Sequence, residues 1–407
     1  MVLPPDDAPL TFHRVKLAHL ADSHLGFRQY HRQTPSGINQ READVANAFR
    51  SAIDGVIAER PDAVLIAGDI FHSVRPSNPS IVFAYQQLAR LRAALPDAPI
   101  ILIAGNHDTP RSTETGSILG LFAAIGIDVA ADEARRLVYP ALGLSVLAVP
   151  HVALISPDRT ILRPDGSEPH QVLLLHGEVE GVFPADRSSA EYGGAVVAPL
   201  ELANAGWSYV ALGHYHVQHE VAPRVWYSGA LEYVSPNPWG ELSDEREHGL
   251  TGKGWLSVEL PSGKVSRHPV QLSRRVIDLP TIEGRELESG ALDTAIAGRL
   301  KTVEGGIGGQ IVRLVVRNVP RHIGRELDHA AIRAWKAEAL HFQLDLRRPE
   351  NYREIGMGAP GGGRQTLTDI VAEYLGRRLL PGTIDREEFV RRGVALVQSV
   401  EQDALEN

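Results

Sequence analysis

Five apolar runs in this chain end abruptly in residues that no hydrophobic core would select. The sharpest case is ILIAGNHD at 101–108, a branched run that stops on Gly105-Asn106-His107-Asp108. A short, near-continuous apolar run of this kind is the mark of a strand buried on both faces. VKLAHLA (15–21) ends in Asp22-Ser23-His24, and DAVLIAG (62–68) in Asp69 with His72 shortly after. QVLLLHG (171–177) carries His176, and SYVALGH (208–214) runs into Gly213-His214-Tyr215-His216.

The stretches between these runs predict how the strands are arranged. Helical spacing is clear in 38–59, where Val45, Phe49, Ile53 and Val56 recur on one face, and helices are also expected at 79–95 and 116–126. This β-α-β-α-β-α order predicts parallel strands with helices packed outside. Later runs at 144–150, 171–177, 208–214, 225–231 and 254–260 are separated mainly by loops, which predicts a second, more antiparallel sheet. In open α/β sheets, ligands bind beyond the carboxyl ends of the strands, where all five polar endings fall.

Those endings carry oxygen and imidazole donors, enough for two octahedral-like metal sites. A pair of cations needs a bridging carboxylate to offset its repulsion, and Asp69, central in the order, is the expected bridge. The chain has no cysteine, which excludes disulfides, thiolate metal sites and cysteine nucleophiles; its 17 histidines can supply what sulfur does not. The net charge of −9 argues against a uniformly basic nucleic-acid coat. A nucleic-acid substrate would need a local positive patch, bound cations or a partner that carries the grip. No apolar run reaches the roughly 18–20 residues needed to span a bilayer.

At 407 residues the chain is long enough for two or three domains. Residues 1–13 read as a disordered lead and 14–260 as the main domain. Residues 271–348 read as a small α+β domain, 349–365 with GMGAPGGG as a linker, and 366–403 as two helices around Pro381-Gly382. In that tail Leu367, Ile370, Val371, Tyr374 and Leu375 make one apolar face, and Phe389, Val390, Val394, Val397 and Val400 the other. Asp385 and Glu388 form a capping-box pattern before the second helix.

The segments DSHLGF (22–27), GDIFHSVRPS (68–77), GNHD (105–108), HGEVEG (176–181) and GHYH (213–216) resemble those of the calcineurin-like metallophosphoesterases. Within that superfamily they look like the SbcD-type nucleases of double-strand-break repair. The resemblance is clear over about 14–256, weaker over 271–348 and merely architectural in the tail. It implies an α/β fold, an αββα sandwich of two sheets with a small α+β capping domain and a C-terminal helical pair. It implies one divalent metal held by Asp22, His24, Asp69 and His216 and a second held by Asp69, Asn106, His176 and His214. Manganese (Mn2+) is the ion implied, although mixed imidazole and carboxylate chemistry alone leaves iron, zinc and cobalt open. His107 would meet the scissile phosphate, Asp108 would orient its ring, and His72 would place the phosphate and rotate the nucleic-acid backbone into line.

The activity so implied is hydrolysis of DNA phosphodiesters, exo- and endonucleolytic, on ends, hairpins or single strands. The implied setting is a cytoplasmic SbcCD-like repair complex in which this chain is the catalytic subunit. It would form a homodimer through the helices at 79–95 and 116–126, with Phe83, Tyr85, Leu119 and Phe122 as candidate contacts. The two-helix tail would dock onto an SbcC-type coiled-coil ATPase, and Arg274, Arg275, Arg313, Arg317 and Arg321 would contact DNA. The alternative is a phosphatase or cyclic-nucleotide phosphodiesterase of the same superfamily; a third reading is a DNA-end-binding adaptor without catalysis. Phosphatases of the superfamily typically carry Gly-Asp-x-Val-Asp-Arg-Gly and Gly-Asn-His-Glu; this chain has GDIFHSVRPS and GNHD, with His72 in place of that pattern's Asp-Arg pair. One departure from the family pattern is 235–255, an acidic, proline-containing stretch that reads as a long loop.

Overall fold

The computed structural model describes residues 14–110, 116–182, 195–203, 205–349, 367–377 and 385–406. The expected N-terminal lead, the expected linker after Pro349 and the turn at Pro381-Gly382 lie outside the described residues. In chain order the first elements are β1 (Val15–Leu20), α1 (Gln40–Glu59), β2 (Ala63–Ile66), α2 (Asn78–Ala94), β3 (Ile100–Ile103), β4 (Asp128–Ala130), β5 (Arg135–Tyr139) and β6 (Leu144–Val149). There follow α3 (His151–Ile155), β7 (His170–His176), β8 (Glu178–Val179), β9 (Val196–Val197), α4 (Pro199–Ala203), β10 (Tyr209–Gly213), β11 (His219–Ala222) and β12 (Val225–Tyr227). Then come α5 (Pro238–Glu247), β13 (Gly254–Leu260), β14 (Lys264–Pro269), β15 (Val276–Glu283), α6 (Ser289–Lys301), β16 (Ile311–Arg317), α7 (Arg321–Glu326), α8 (His329–Glu338) and β17 (His341–Leu346). The last two are α9 (Leu367–Arg377) and α10 (Arg386–Glu406).

Two six-stranded sheets, ordered β14-β13-β1-β2-β3-β4 and β11-β12-β10-β7-β6-β5, stack face to face. Because side chains alternate across a strand, each central strand feeds two cores. Leu17, Leu65, Ile101 and Ile103 meet Val146, Val172, Leu174 and Tyr209 between the sheets. Their neighbours Leu20, Val64, Ile66 and Leu102 pack outward with Phe49 and Ile53 of α1 and Leu88 of α2. Leu173 and Leu175 pack on the far side with Leu154 of α3 and Leu202 of α4. The result is the αββα sandwich, and burial on both faces is why these strands read as unbroken apolar runs.

Four expectations are corrected. The second sheet is mainly parallel: β6, β7, β10 and β12 run the same way, with antiparallel edges at β5 and β11. Among the described residues its crossovers carry no helix longer than the five-residue α3 and α4, so no long helical period marked them in the sequence. Strand β13 returns to the first sheet, antiparallel to β1 with Val258 opposite Leu17. The stretch at 116–126 forms 3₁₀ turns over Ile118–Ile125 ended by Gly126 at φ +79°, not an α-helix. Leu119 and Phe122 there are fully buried in the chain's own core, which removes them as dimer contacts; Phe83 and Tyr85 are partly buried against that core.

The small domain has three parallel strands, β15, β16 and β17, with Leu292 and Ile296 of α6 and Ile332 of α8 packed against Leu314 and Phe342. It belongs to the same compact unit as the sandwich, Met1–Pro349. In the second unit α9 and α10 pack on each other, and the Glu388 N–H donates to Asp385 Oδ1 at 2.8 Å, as the capping pattern requires. Among the described residues no helix is long and apolar enough to cross a membrane.

Candidate metal centre

The ends of β1, β2, β3, β7 and β10 meet along one edge of the sandwich, and the backbone there is strained. Asp22, His24 and Asp69 have φ of 51°, 46° and 51°, and His214 has φ 111°, conformations that L residues rarely adopt. Each costs roughly 1–3 kcal/mol unless the surroundings enforce it. Here the Asp22 N–H donates to the Gly68 carbonyl at 3.0 Å, His24 N–H to the Asp69 carbonyl at 2.9 Å, and His214 N–H to Asp22 Oδ1 at 3.0 Å. Glycine is needed where the loops touch: a Cβ on Gly105 would lie 2.1 Å from Asp69 Oδ1. Gly68, at φ +87°, would bring a Cβ to 2.6 Å from His176 Nδ1.

All seven expected ligand residues come together, and Asp69 stands between them. His24 Nε2 is 3.6 Å and His176 Nε2 3.4 Å from the same atom, Asp69 Oδ2, while Asp69 Oδ1 accepts the His107 N–H at 2.9 Å. On one side, His24 Nε2 faces His216 Nε2 at 3.2 Å, and Asp22, His24 and His216 offer donor atoms within 4.8 Å of one another. On the other, Asn106 Oδ1 lies 3.0 Å from His176 Nε2 and 3.1 Å from His214 Nδ1. The donor set fits two divalent cations of borderline or hard character: imidazole nitrogens and carboxylate or amide oxygens converge, and no sulfur is involved. His176 Nδ1 donates to the Ala67 carbonyl at 2.7 Å, which orients the ring and turns Nε2 toward Asp69 and Asn106, where a bound cation would take its lone pair.

Electrostatics point the same way. Burial pushes Asp22 up to about 6 despite His176 and His216, and burial holds His24 and His214 well below the ordinary histidine range. Burial alone would lower His176, yet the Asp69 and Asp22 carboxylates outweigh it and raise it to about 9. Divalent charge would favour ionised carboxylates and neutral imidazoles at once, settling both.

His72 and His107 lie at the half-buried rim, their rings stacked at 5.2 Å, with Phe27 edge-on to His72 at 5.0 Å. The expected contact of Asp108 with the His107 ring is corrected. His107 Nδ1 donates to the His72 carbonyl at 2.8 Å, whereas Asp108 accepts the N–H groups of Ile70, Phe71 and Gly105 at 3.1, 3.0 and 3.2 Å. Asp108 therefore staples the two loops together through both of its oxygens. Of the arginines expected on DNA, Arg274 is paired with Asp44 at 2.8 Å and Arg313 with Asp278 at 2.6 Å; Arg317 and Arg321 are exposed. Arg275 donates to the Glu304 carbonyl at 2.6 Å.

Two residues escaped the sequence reading. His151, buried directly after β6, sits with its ring 6.4 Å from that of His176. The signal existed, since LSVLAVP is one more apolar run that ends in a histidine. Glu241, on α5, meets His216 Nδ1 at 3.3 Å. It lies in the stretch read as a loop, and no local pattern ties it to a histidine 25 residues earlier.

Comparison with known proteins agrees with this geometry. The family model for calcineurin-like phosphoesterases matches residues 15–218. Curated relatives named DNA double-strand break repair protein Mre11 include that of Saccharolobus solfataricus, 29% identical over 209 residues covering 50% of each chain. The protein of Aeropyrum pernix is 33% identical over 248 residues, 56% of this chain and 54% of its own. That of Methanococcus maripaludis is 39% identical over 111 residues, 27% of this chain and 28% of its own. The chain thus spans about half the length of the first two of these relatives. The family match begins at β1, takes in every strand end that carries a donor and stops just past His216. On that match and the sandwich that bears it, this chain belongs to the calcineurin-like phosphoesterases.

Proposed function

We propose that this chain is a two-metal DNA nuclease, the catalytic subunit of an SbcCD-like repair complex. It would hydrolyse phosphodiesters at DNA ends, hairpins and single strands, with manganese as its ion. The observation that carries the reading is Asp69 Oδ2, one buried oxygen facing His24 on one side and His176 on the other. Asp22, His24, Asp69 and His216 would hold one cation and Asp69, Asn106, His176 and His214 the second. Bound there, the cations would activate a water and offset charge on the phosphate.

The protein's own groups do the rest. His107 spends Nδ1 on the His72 carbonyl, so Nε2 is the atom left to meet the charge that develops on the scissile phosphate. His72, lowered to about 4 chiefly by burial, serves as a neutral hydrogen-bonding group that packs against His107 and positions the phosphate. Asp108 keeps the two loops in register. DNA as the substrate is favoured by the name shared by the relatives and by His72-Ser73 standing where the phosphatase pattern has Asp-Arg. The amphipathic pair α9 and α10 would dock on a coiled-coil ATPase, as helices with an apolar face do in a partner's groove. The chain would act in the cytoplasm as a homodimer.

The test is digestion of end-labelled duplex, hairpin and single-stranded DNA with added Mn2+, beside an aryl phosphodiester. The wild-type chain should cut DNA and stop on chelation. Asp69→Ala should lose at least a thousandfold in rate while staying folded, and His72→Ala should keep metal binding but turn over slowly. Inert DNA with rapid turnover of small esters would overturn the nuclease reading in favour of a small-ester phosphodiesterase.

A further inference from the structure

We infer that Glu241 is a positioning residue for His216, and that Lys253 fixes Glu241 in that role. The inference rests on the two-cation reading of the site, in which His216 is a ligand. Glu241 Oε1 lies 3.3 Å from His216 Nδ1 and accepts the Ser235 N–H at 2.9 Å. Its other oxygen receives Lys253 Nζ at 2.5 Å. The same ammonium donates to the His216 backbone carbonyl at 2.9 Å, so it grips both the histidine and the carboxylate that faces it. It is also 2.9 Å from Glu245 Oε1, and the Tyr233 hydroxyl donates to Glu245 Oε2 at 2.7 Å. Glu241, Glu245 and Lys253 are 6%, 2% and 3% exposed, so these contacts are shielded from bulk solvent.

The consequence for His216 is a fixed tautomer. A carboxylate that already holds a lysine can only accept from the imidazole, so Nδ1 carries the proton. Nε2 then presents its lone pair toward His24 Nε2 and Asp22. A carboxylate behind a ligating histidine sets ring orientation and basicity, and its loss typically weakens metal binding 10–100-fold. A buried ion pair is a poor source of net stability, because desolvation cancels much of the attraction. Here the pair instead holds a ligand in one orientation. The far side of α5 is fixed as well: Trp239 packs with Ile311 and Leu340, its Nε1 donates to Gln343 Oε1 at 3.0 Å, and Arg313 lies over its ring at 5.0 Å. The acidic stretch that departs from the family pattern is therefore a helix that carries a carboxylate to a metal ligand.

The experiment is calorimetric titration of the full chain with Mn2+, with a thermal melt of each variant. Wild type should bind two ions. Glu241→Ala, which leaves Lys253 paired with Glu245 and so strands no buried charge, should bind one ion unchanged and the other 10–100-fold more weakly. Glu241→Gln, which still offers Nδ1–H an oxygen, should recover part of that loss. Glu245→Gln disturbs the same lysine without touching His216; it should lower the melting temperature and leave both affinities intact. Two unchanged affinities in Glu241→Ala would overturn the inference while leaving the two-cation site standing. Equal losses in the Glu245→Gln variant would also overturn it, by reducing Glu241 to general packing. A wild-type chain that binds no Mn2+ would sink the site itself, a separate failure.

Discussion

His19 and His216 show two fates for a buried imidazole. His216 faces a carboxylate and is raised against the pull of burial, whereas His19, inside β1 between the sheets, has the Tyr209 hydroxyl at 2.9 Å and is pushed down to about 3 by burial. The folded chain therefore refuses a proton at His19 that the unfolded chain accepts below about 6.5. Stability from this group is complete above that pH and is lost as pH falls from about 6.5 toward 3, by at most about 1.4 kcal/mol per pH unit. Urea unfolding between pH 7 and pH 5 should show a steeper loss in wild type than in His19→Gln, which keeps a polar partner for Tyr209. Parallel slopes would mean that His19 titrates alike in both states. At the same scale, the candidate ligand residues could be read from sequence because each lies at the end of an apolar run. Glu241 could not, since only the fold brings it to His216.

The elements differ in how far their sequences announce them. Strands β1, β2, β3, β7 and β10 are buried on both faces and stand out as apolar runs, and α1 shows its period because one face meets the core and the other meets water. Helix α5 showed none. Its buried residues include Glu241, Asp244 and Glu245, so charge stands where an amphipathic pattern would place leucine. A helix whose buried face is polar looks like a solvated loop until its partner lysine is seen. The parallel second sheet went unannounced for a related reason: among the described residues its crossovers carry only short helices, α3 and α4, whose few residues show no period. Trp239 is the apolar anchor of α5, and Trp239→Ala should cost about 3–5 kcal/mol by emptying the cluster with Ile311 and Leu340. Thermal unfolding should report it as a lower melting temperature, together with faster proteolysis within 235–255. An unchanged melt would show that α5 is held by its charged face alone.

For the whole molecule, the donor set is split between the sheets. Asp22, His24, Asp69 and Asn106 follow strands of the first sheet, and His176, His214 and His216 belong to the second, so the site exists only when the sandwich is assembled. Cations that bind there should stabilise the folded chain by mass action, by about 2.7 kcal/mol at a concentration one hundred times the dissociation constant. A net charge of −9 does not conflict with a DNA substrate if bound cations and a partner supply the positive field at the phosphate. The central claim is that strand ends from both sheets hold a pair of cations about Asp69. Anomalous diffraction at the manganese edge, from crystals of the chain grown with Mn2+, tests it most directly. Two peaks are expected, one among Asp22, His24 and His216 and one among Asn106, His176 and His214, with the Asp69 carboxylate between them. A single peak, or peaks remote from Asp69, would contradict it.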